Sequence, residues 1–307
     1  MSQESIDVVP PLYVALTELP LSERCIDLGE GIFLRGADAT FISSLLLVNT
    51  EEDSKQANGR TLGADGFPPL PRPAFWQLGG KKTRISAELV VPSTDFQSRS
   101  QQYEIARFLG ALLRLWTNPA IRLHAMSEHP FTDLIHMDGD GPRVIPLESF
   151  KQRTRLGLIE TSSLLDSVVW VQTNWRSAHK LYSSSTEFRL ALDALDAAQF
   201  IENEALALVS LWAAMEALFS PSTAELKFRV SALIASFLEE PGETRRSRQK
   251  AIAHLYDKRS AAAHGKPKHQ SEDLLATFEL LRRILIRMIY LRAVPSKDEL
   301  DARLFGC

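Results

Sequence analysis

The periodicity of apolar residues changes near residue 155, and this change sets most of what the chain can fold into. Before it, apolar residues alternate with polar ones over short runs such as 85–91, a pattern typical of half-buried strands. After it, apolar residues recur every three to four positions over long stretches, which is typical of helices packed on a common core. The sequence therefore predicts an α+β chain, with a mixed α/β N-terminal domain followed by an all-α helical bundle.

The N-terminal half has runs with strand character at residues 13–16, 25–28, 31–34 and 85–91. A polar segment rich in glycine and proline, between about 51 and 80, predicts a long loop. One amphipathic helix is expected at about 99–117, because apolar side chains recur there at helical spacing and Asn118-Pro119 ends it.

In the second half we expect helices at about 159–181, 186–197, 200–219, 224–238, 243–264 and 271–293. Ser185 followed by Glu187 indicates a fresh helix N-cap. The boundary between the halves is soft, because the helix at 159–181 fits either side. The predicted organisation is a mixed α/β domain over 1–155, whose role (sensing or regulation) the sequence leaves open, a connecting helix over 156–184, a helical domain over 185–296 and a C-terminal tail over 297–307.

The composition restricts the classes of partner. A formal net charge of -3 does not indicate a general nucleic-acid binder, so any basic surface must be local. Two cysteines cannot form a disulfide framework, which fits a reducing compartment. The N-terminus lacks the basic start and apolar run of a signal peptide, and no uninterrupted run of about 18 apolar residues is present. We therefore expect a cytoplasmic protein with no membrane partner.

The element Arg259-x4-His264 carries the most chemical information. Arginine is a permanent bidentate clamp for phosphate, and histidine is the side chain best suited to move a proton near neutral pH. Gly265 and Pro267 end the predicted helix, so His264 lies in its last turn. The two side chains lie about 140° apart around the axis, and only the long arginine can curl toward the histidine. A phosphate site fits this pair, and so does a structural histidine beside an ordinary arginine.

The surroundings of this element are basic. Between 241 and 270, eight lysines and arginines stand against two carboxylates, Glu243 and Asp257, a local excess of six positive charges. Such a patch can hold several phosphates of a polyanion in salt-sensitive binding, or can simply be a solvated helix end. Apart from Arg259, the candidate RNA contacts are Arg245, Arg246, Arg248, Lys250, Lys258, Lys266 and Lys268.

A longer pattern resembles a known family. The run 211–219 (LWAAMEALF), the apolar run 228–234 and the run 256–265 (YDKRSAAAHG) resemble, in this order, the HEPN superfamily, and most closely its ApeA-like branch. The resemblance covers about 185–295. It implies a helical bundle that usually dimerises, so that two motifs share a cleft, and a metal-independent endoribonuclease activity. It also implies a place in antiphage, abortive-infection or toxin–antitoxin defence, with an antitoxin or a phage-derived trigger as partner.

The same resemblance implies residue roles. Arg259 would contact the scissile phosphate of RNA, and His264 would carry the proton between the 2′-hydroxyl and the leaving 5′-oxygen. Ser260 would assist, although related proteins often have asparagine, aspartate or histidine at this position. No metal or other cofactor is implied.

Three further residues have two interpretations each. Glu216 lies in an otherwise apolar helix, so its carboxylate needs a partner: it orients Arg259, or it forms a plain bundle ion pair or lies at a wet edge. Tyr256 fits packing better than catalysis. Asp257 precedes His264 by seven residues and shares its helix face, where it polarises the imidazole or, more simply, is solvated.

Other kinds of site receive less support. P-loop, Rossmann and α/β-hydrolase motifs are absent from the sequence, and we interpret Trp116, Trp170 and Trp175 as core or interface residues. Two alternatives to a ribonuclease remain: a non-catalytic HEPN-type module for RNA or nucleotide binding or dimerisation, and chemistry located in the N-terminal half. A segment rich in metal-capable side chains lacks zinc-motif spacing and fits a polar loop, with His124, Glu128, His129, Asp133, His136, Asp138 and Asp140.

Overall fold

The α+β class predicted from the sequence is confirmed by a computed structural model of the chain. The chain divides into two compact units. The first comprises Met1–Arg114, Ala120–Phe150 and Thr161–Gln172, and the second Leu115–Pro119, Lys151–Glu160 and Thr173–Cys307. The structure describes residues 9–21, 24–41, 47–49, 83–93, 98–134, 144–148, 152–153, 157–159, 163–219, 225–266 and 268–306.

The first unit is built on a seven-stranded sheet in which every described strand pair is antiparallel. The strand order is β2-β3-β5-β1-β6-β7, with β4 pairing only with β3. Helix α1 (Arg99–Trp116) lies between β5 and β6 in the chain and follows the predicted range. The strands are β1 (Leu12–Thr17), β2 (Cys25–Gly29), β3 (Ile32–Phe41), β4 (Leu47–Asn49), β5 (Thr83–Val91), β6 (Arg122–Ser127) and β7 (Ile145–Pro146).

The core of this unit forms where β1 pairs with both β5 and β6. Val14 stands opposite Leu89 on one side and Met126 on the other, and Val14 and Leu89 are fully buried. Helix α1 packs closely on β6, since a Cβ added at Gly110 would lie 2.4 Å from Cδ1 of Leu123. A larger residue at this position would force the helix away from the sheet.

Strand β6 corrects one sequence expectation. The polar loop expected around 124–140 begins with a strand instead, because alternate residues of Arg122–Ser127 are buried while the strand pairs with β1. His124 therefore belongs to a strand, while His136, Asp138 and Asp140 lie outside the described residues, as does the long loop expected at 51–80. Burial and the nearby charge of Arg122 lower the pKa of His124 to about 4, so its imidazole is neutral in the fold.

Glu88 is a buried carboxylate in the middle of the sheet. It stands opposite Arg35 on β3 and Ala15 on β1, and it is fully buried. Nη2 of Arg35 lies 2.7 Å from one carboxylate oxygen, and the backbone N–H of Phe131 donates to the other. Burial raises the pKa of Glu88, and Arg35 opposes this rise. The carboxylate thus ties β5, β3 and the segment after β6 together.

The second unit is helical, and its helices match the predicted ones within a few residues. Ser185 is the predicted N-cap: its hydroxyl accepts the N–H of Phe188 at 3.1 Å. The soft boundary has a structural counterpart, because α2 passes from the first unit to the second after Gln172. The helices are α2 (Leu164–Ser184), α3 (Thr186–Ala198), α4 (Glu204–Phe219), α5 (Leu226–Leu238), α6 (Glu243–Ala263), α7 (Ser271–Leu291) and α8 (Lys297–Phe305).

Helix α8 replaces the expected C-terminal tail over 297–307. Ser296 and Glu299 form a capping box at its start, Gly306 has φ +77 at its end, and Leu300 is buried. The signal S-x-x-E was present in the sequence. Trp170 and Trp175 are buried, as expected for core residues, and Trp116 is half-buried. Within the described residues, no helix combines the length and apolar character that a membrane crossing requires.

Replacing Glu88 by alanine should lower the free energy of unfolding by about 3 kcal/mol, because the N–H of Phe131 loses its buried acceptor and Arg35 its partner. Urea unfolding of purified variants measures this. Asp38→Ala is the matched control, since its 3.2 Å ion pair with Arg84 is exposed and should contribute less than about 1 kcal/mol. Equal losses in the two variants would contradict the role assigned to Glu88.

Because His124 is neutral in the fold, we expect the stability of the protein to decrease in acid. Its folded-state pKa of about 4 lies below the ordinary value of 6.5, so its contribution to stability is full above about pH 6.5 and decreases as pH falls toward 4. His124→Asn should therefore lose less stability than the parent over this window, measured as the urea midpoint against pH. The same substitution at His254, which is exposed on α6, serves as control. Parallel pH profiles for parent and His124→Asn would contradict the assignment.

Candidate active site on helices α4 and α6

The arginine of the motif is held by a carboxylate from a neighbouring helix. Nη2 of Arg259, on α6, lies 3.2 Å from both carboxylate oxygens of Glu216, on α4. The Arg259 and Glu216 side chains are only 22% and 21% exposed, so water screens the pair weakly. The pairing of Glu216 with Arg259, one of the alternatives that the sequence left open, is present in the structure.

Tyr256 packs next to the Arg259–Glu216 pair. It is buried, packs edge-on against Trp212 with ring centroids 5.0 Å apart, and lies 5.5 Å from the guanidinium carbon of Arg259. Burial raises the pKa of Tyr256, and the Glu216 carboxylate raises it further. The phenol therefore stays protonated at neutral pH. Tyr256 thus packs in the core and lies beside the charged pair.

Arg259 keeps unused hydrogen-bonding capacity. Its Nε is buried and has no hydrogen-bond partner among the residues that the structure describes. The indole N–H of Trp212 is also buried and has no hydrogen-bond partner among these residues. A guanidinium carries five donors in a fixed plane, so binding of Nη2 by Glu216 sets the direction of the remaining donors. The arrangement orients the guanidinium without saturating it.

His264 occupies the end of the same helix. It is the C-cap residue of α6, and its imidazole is exposed and forms no hydrogen bond within the described part of the chain. The N–H of Gly265 bonds to the carbonyl of Ala262 at 3.1 Å, and that of Lys266 to the carbonyl of Ala261 at 2.9 Å. This Schellman pattern requires a left-handed residue after the cap, and Gly265 supplies it with φ +71.

The histidine and the arginine point in different directions. His264 follows Arg259 by five residues, which places the two about 7.5 Å apart along the axis and about 140° apart around it. Arg259 faces α4, whereas His264 stands at the open end of α6. The structure therefore does not place the two side chains side by side.

Asp257 and Ser260 have other partners than the sequence suggested. The Asp257 carboxylate lies 2.6 Å from Nζ of Lys227 on α5 and is exposed, so the expected solvation is present and the partner is a lysine of α5. Ser260 is half-buried, and its carbonyl accepts the N–H of His264 at 3.2 Å. Ser260 thus contributes to the cap that holds His264 through its backbone.

The predicted basic residues divide into separate groups along α6. Arg245 and Arg248 lie at the start of the helix and bind Glu239, through its carbonyl at 2.9 Å and its carboxylate at 3.1 Å. Arg245 is about 21 Å along the axis from Arg259, so the two cannot contact one phosphate. Near the site, Lys258 donates to the carbonyl of Lys268 at 3.1 Å.

The other basic candidates are less engaged. Arg246 is 3.5 Å from Glu243, with both side chains largely exposed. Lys250, Lys266 and Lys268 are exposed on the surface.

Sequence reasoning missed two residues that shape the site. Lys227 binds Asp257, and Asp273 on α7 lies 3.5 Å from the ammonium of Lys258. The backbone N–H of Gln270 lowers the pKa of Asp273, with a smaller contribution from Lys258. The pattern Gln270-x-x-Asp273 is a capping signal and could have identified Asp273 from the sequence. No sequence signal indicates Lys227, because its contact joins two helices.

No cluster of three metal-capable side chains occurs among the residues that the structure describes. Comparisons with protein-family models, with curated proteins and with solved structures find no match for this chain. The resemblance to the HEPN superfamily therefore stays a prediction that depends on the residues of the motif and on the geometry around them.

The stability of the helix end that carries His264 should depend on which residue occupies position 265. Gly265→Ala meets no neighbouring atom within 4 Å, so its effect is conformational: a left-handed alanine costs about 1 kcal/mol of unfolding free energy. Gly265→Asn should lose less, because asparagine tolerates this conformation. Urea unfolding followed by circular dichroism measures both. An alanine variant as stable as the parent would show that residue 265 is not left-handed in solution.

Proposed function

We propose that the chain is a metal-independent endoribonuclease in which Arg259 binds the scissile phosphate and His264 transfers the proton. The main support for the proposal is the fixed orientation of the Arg259 guanidinium near the end of α6. Arg259 is oriented by Glu216 and Tyr256, and an exposed histidine stands at the C-cap of the same helix. If Arg259 had only a structural role, an exposed histidine five residues later on the same helix would not be required.

The reaction uses the ribose as its own nucleophile. His264 accepts the proton of the 2′-hydroxyl, the 2′-oxygen bonds to phosphorus, and the bond from phosphorus to the 5′-oxygen breaks. The proton then passes from the imidazolium to the leaving 5′-oxygen. The products are a 2′,3′-cyclic phosphate, or the 3′-phosphate formed by its hydrolysis, and a 5′-hydroxyl. DNA lacks the nucleophile and should resist cleavage.

Arg259 supplies electrostatic stabilisation. Negative charge grows on the non-bridging oxygens as the 2′-oxygen attacks, and a preorganised guanidinium stabilises that charge without further rearrangement. Glu216 contributes by binding Nη2 and so fixing the plane of the guanidinium. Glu216 is therefore a positioning residue in this proposal.

The wider context of the activity follows from the resemblance. We propose a homodimer formed through the helical unit, which would bring two Arg259–His264 motifs to one RNA. An antitoxin or a phage-derived trigger would control it, in a defence system of the abortive-infection or toxin type. The sheet unit would then sense that trigger or restrain the nuclease.

Purified protein should cleave mixed RNA in the presence of EDTA and leave fragments with 5′-hydroxyl ends. Arg259→Ala and His264→Ala should each reduce the rate by about 100-fold or more, because each removes one component of the chemistry. Matched controls are Arg283→Ala, whose arginine binds Glu239 on the surface, and His254→Ala. Gel analysis of time courses and end-group mapping measure the outcome.

Two results would contradict the proposal: cleavage that survives loss of both Arg259 and His264, or cleavage that EDTA abolishes. Growth arrest on expression, relieved by His264→Ala, is a companion measurement in cells.

The second candidate is a non-catalytic RNA- or nucleotide-binding or dimerisation module of the same family. The occupied Nη2 of Arg259 favours it, as does Ser260 at a position where related nucleases often have a stronger hydrogen-bonding residue. Salt-sensitive RNA binding without cleavage by the intact protein would support this candidate.

A further inference from the structure

One face of α6 connects His264 with a groove elsewhere in the helical unit. Arg246, Lys250, Ala253, Asp257 and His264 lie within about 60° of one another around the helix axis, given about 100° per residue. Ala253 and His264 are about 16 Å apart along the axis. The face therefore forms a straight path from the groove to the exposed imidazole.

The groove lies between this face and the start of α5. Its volume is about 650 Å³, which is within the range of ligand sites in proteins. Phe228 stands on its α5 side with 59% of the residue exposed. The lining residues are Glu225, Leu226, Lys227, Phe228, Gln249 and Ala253.

The polar groups around the groove suit a nucleotide. The amide nitrogen of Gln249 donates to Ser231 at 2.9 Å, which leaves the amide oxygen as an acceptor for the edge of a base. Lys250 is exposed and has no carboxylate partner within the described residues. Glu225 is the acidic group at the rim, whereas the other nearby carboxylate, Asp257, is neutralised by Lys227.

We propose that this groove is a base-stacking subsite for single-stranded RNA, in which Phe228 stacks on one base of the strand that reaches His264. The proposal rests on the function proposed above and names how the substrate is held. Single-stranded RNA is bound by aromatic faces that stack on bases and by cations that follow the backbone. Phe228 provides the aromatic face, and Lys250 and Arg246 provide the cations.

A protein partner fits the groove less well. The lining combines the apolar residues Leu226, Phe228 and Ala253 with Lys227 and Gln249, so a docked helix would also have to cover a charged and an amide side chain. The groove also shares the α6 face of His264, so an occupant of the groove continues directly toward the proposed site of cleavage.

Fluorescence anisotropy with a 2′-O-methyl oligonucleotide of mixed sequence tests the subsite, because this probe is bound and cannot be cleaved. Phe228→Leu keeps apolar surface and removes the aromatic face, so it should weaken binding about tenfold, and Phe228→Trp should restore it. An oligonucleotide with the same backbone and abasic positions should bind parent and Phe228→Leu equally. Lys250→Gln should lower the salt slope by about 0.7 for both probes.

The control is Phe305→Leu, which changes an aromatic residue that is 75% exposed on α8 and does not line the groove. It should leave both affinities unchanged. Equal affinity of parent and Phe228→Leu for the base-bearing probe would overturn the subsite, whether or not the protein cleaves RNA. The subsite would also be overturned if Phe228→Leu changed the molecular mass measured by light scattering without changing RNA affinity. That result would assign Phe228 to self-association.

Absence of binding to either probe by the parent would overturn the subsite and the proposed RNA function together. Binding with the expected Phe228 effect, in a protein that does not cleave RNA, would support the subsite and leave only the catalytic step refuted.

Discussion

The carboxylate of Glu216 is the constraint around which the helical unit is arranged. Helix α4 is mostly apolar around Glu216, and eight of its sixteen residues are buried, including Leu211, Trp212 and Met215. A carboxylate on such a helix is costly unless a cation and hydrogen-bond donors reach it. Arg259 reaches it from α6, and this pair places the last turns of α6 beside α4. The end of α6, with His264 at its cap, is placed by the same requirement.

The same physical rule recurs where other charges are buried. Glu88 satisfies its carboxylate with Arg35 and a backbone N–H inside the sheet. Arg282 of α7 is 2% exposed, and burial lowers its pKa. It donates to the carbonyls of Leu115 and Gly157, and so fixes to α7 two short segments of the second unit that are distant in sequence. In each case a buried ion sets which backbone segments come together.

The site combines stiffness at Arg259 with freedom at His264. A half-buried guanidinium in a fixed plane suits stabilisation of charge on a phosphate, whereas proton transfer needs an imidazole that can reach a substrate oxygen. The Schellman end of α6 gives His264 a fixed backbone and an open side chain. The basic residues of α6 differ by position: Arg246 and Lys250 are exposed on the His264 face, and Arg245 and Arg248 are bound to Glu239.

Local patterns in the sequence determined the helices, most strands, the N-cap at Ser185 and the position of His264 before Gly265, because each depends on neighbours within a few residues. The capping signals of α8 and of Asp273 were also local and were overlooked. Tertiary structure alone decided that Arg259 pairs with Glu216, that Asp257 pairs with Lys227, and that the basic residues divide into groups. These outcomes depend on which helices pack side by side, and on the need of each buried charge for a partner distant in sequence, which periodicity does not encode.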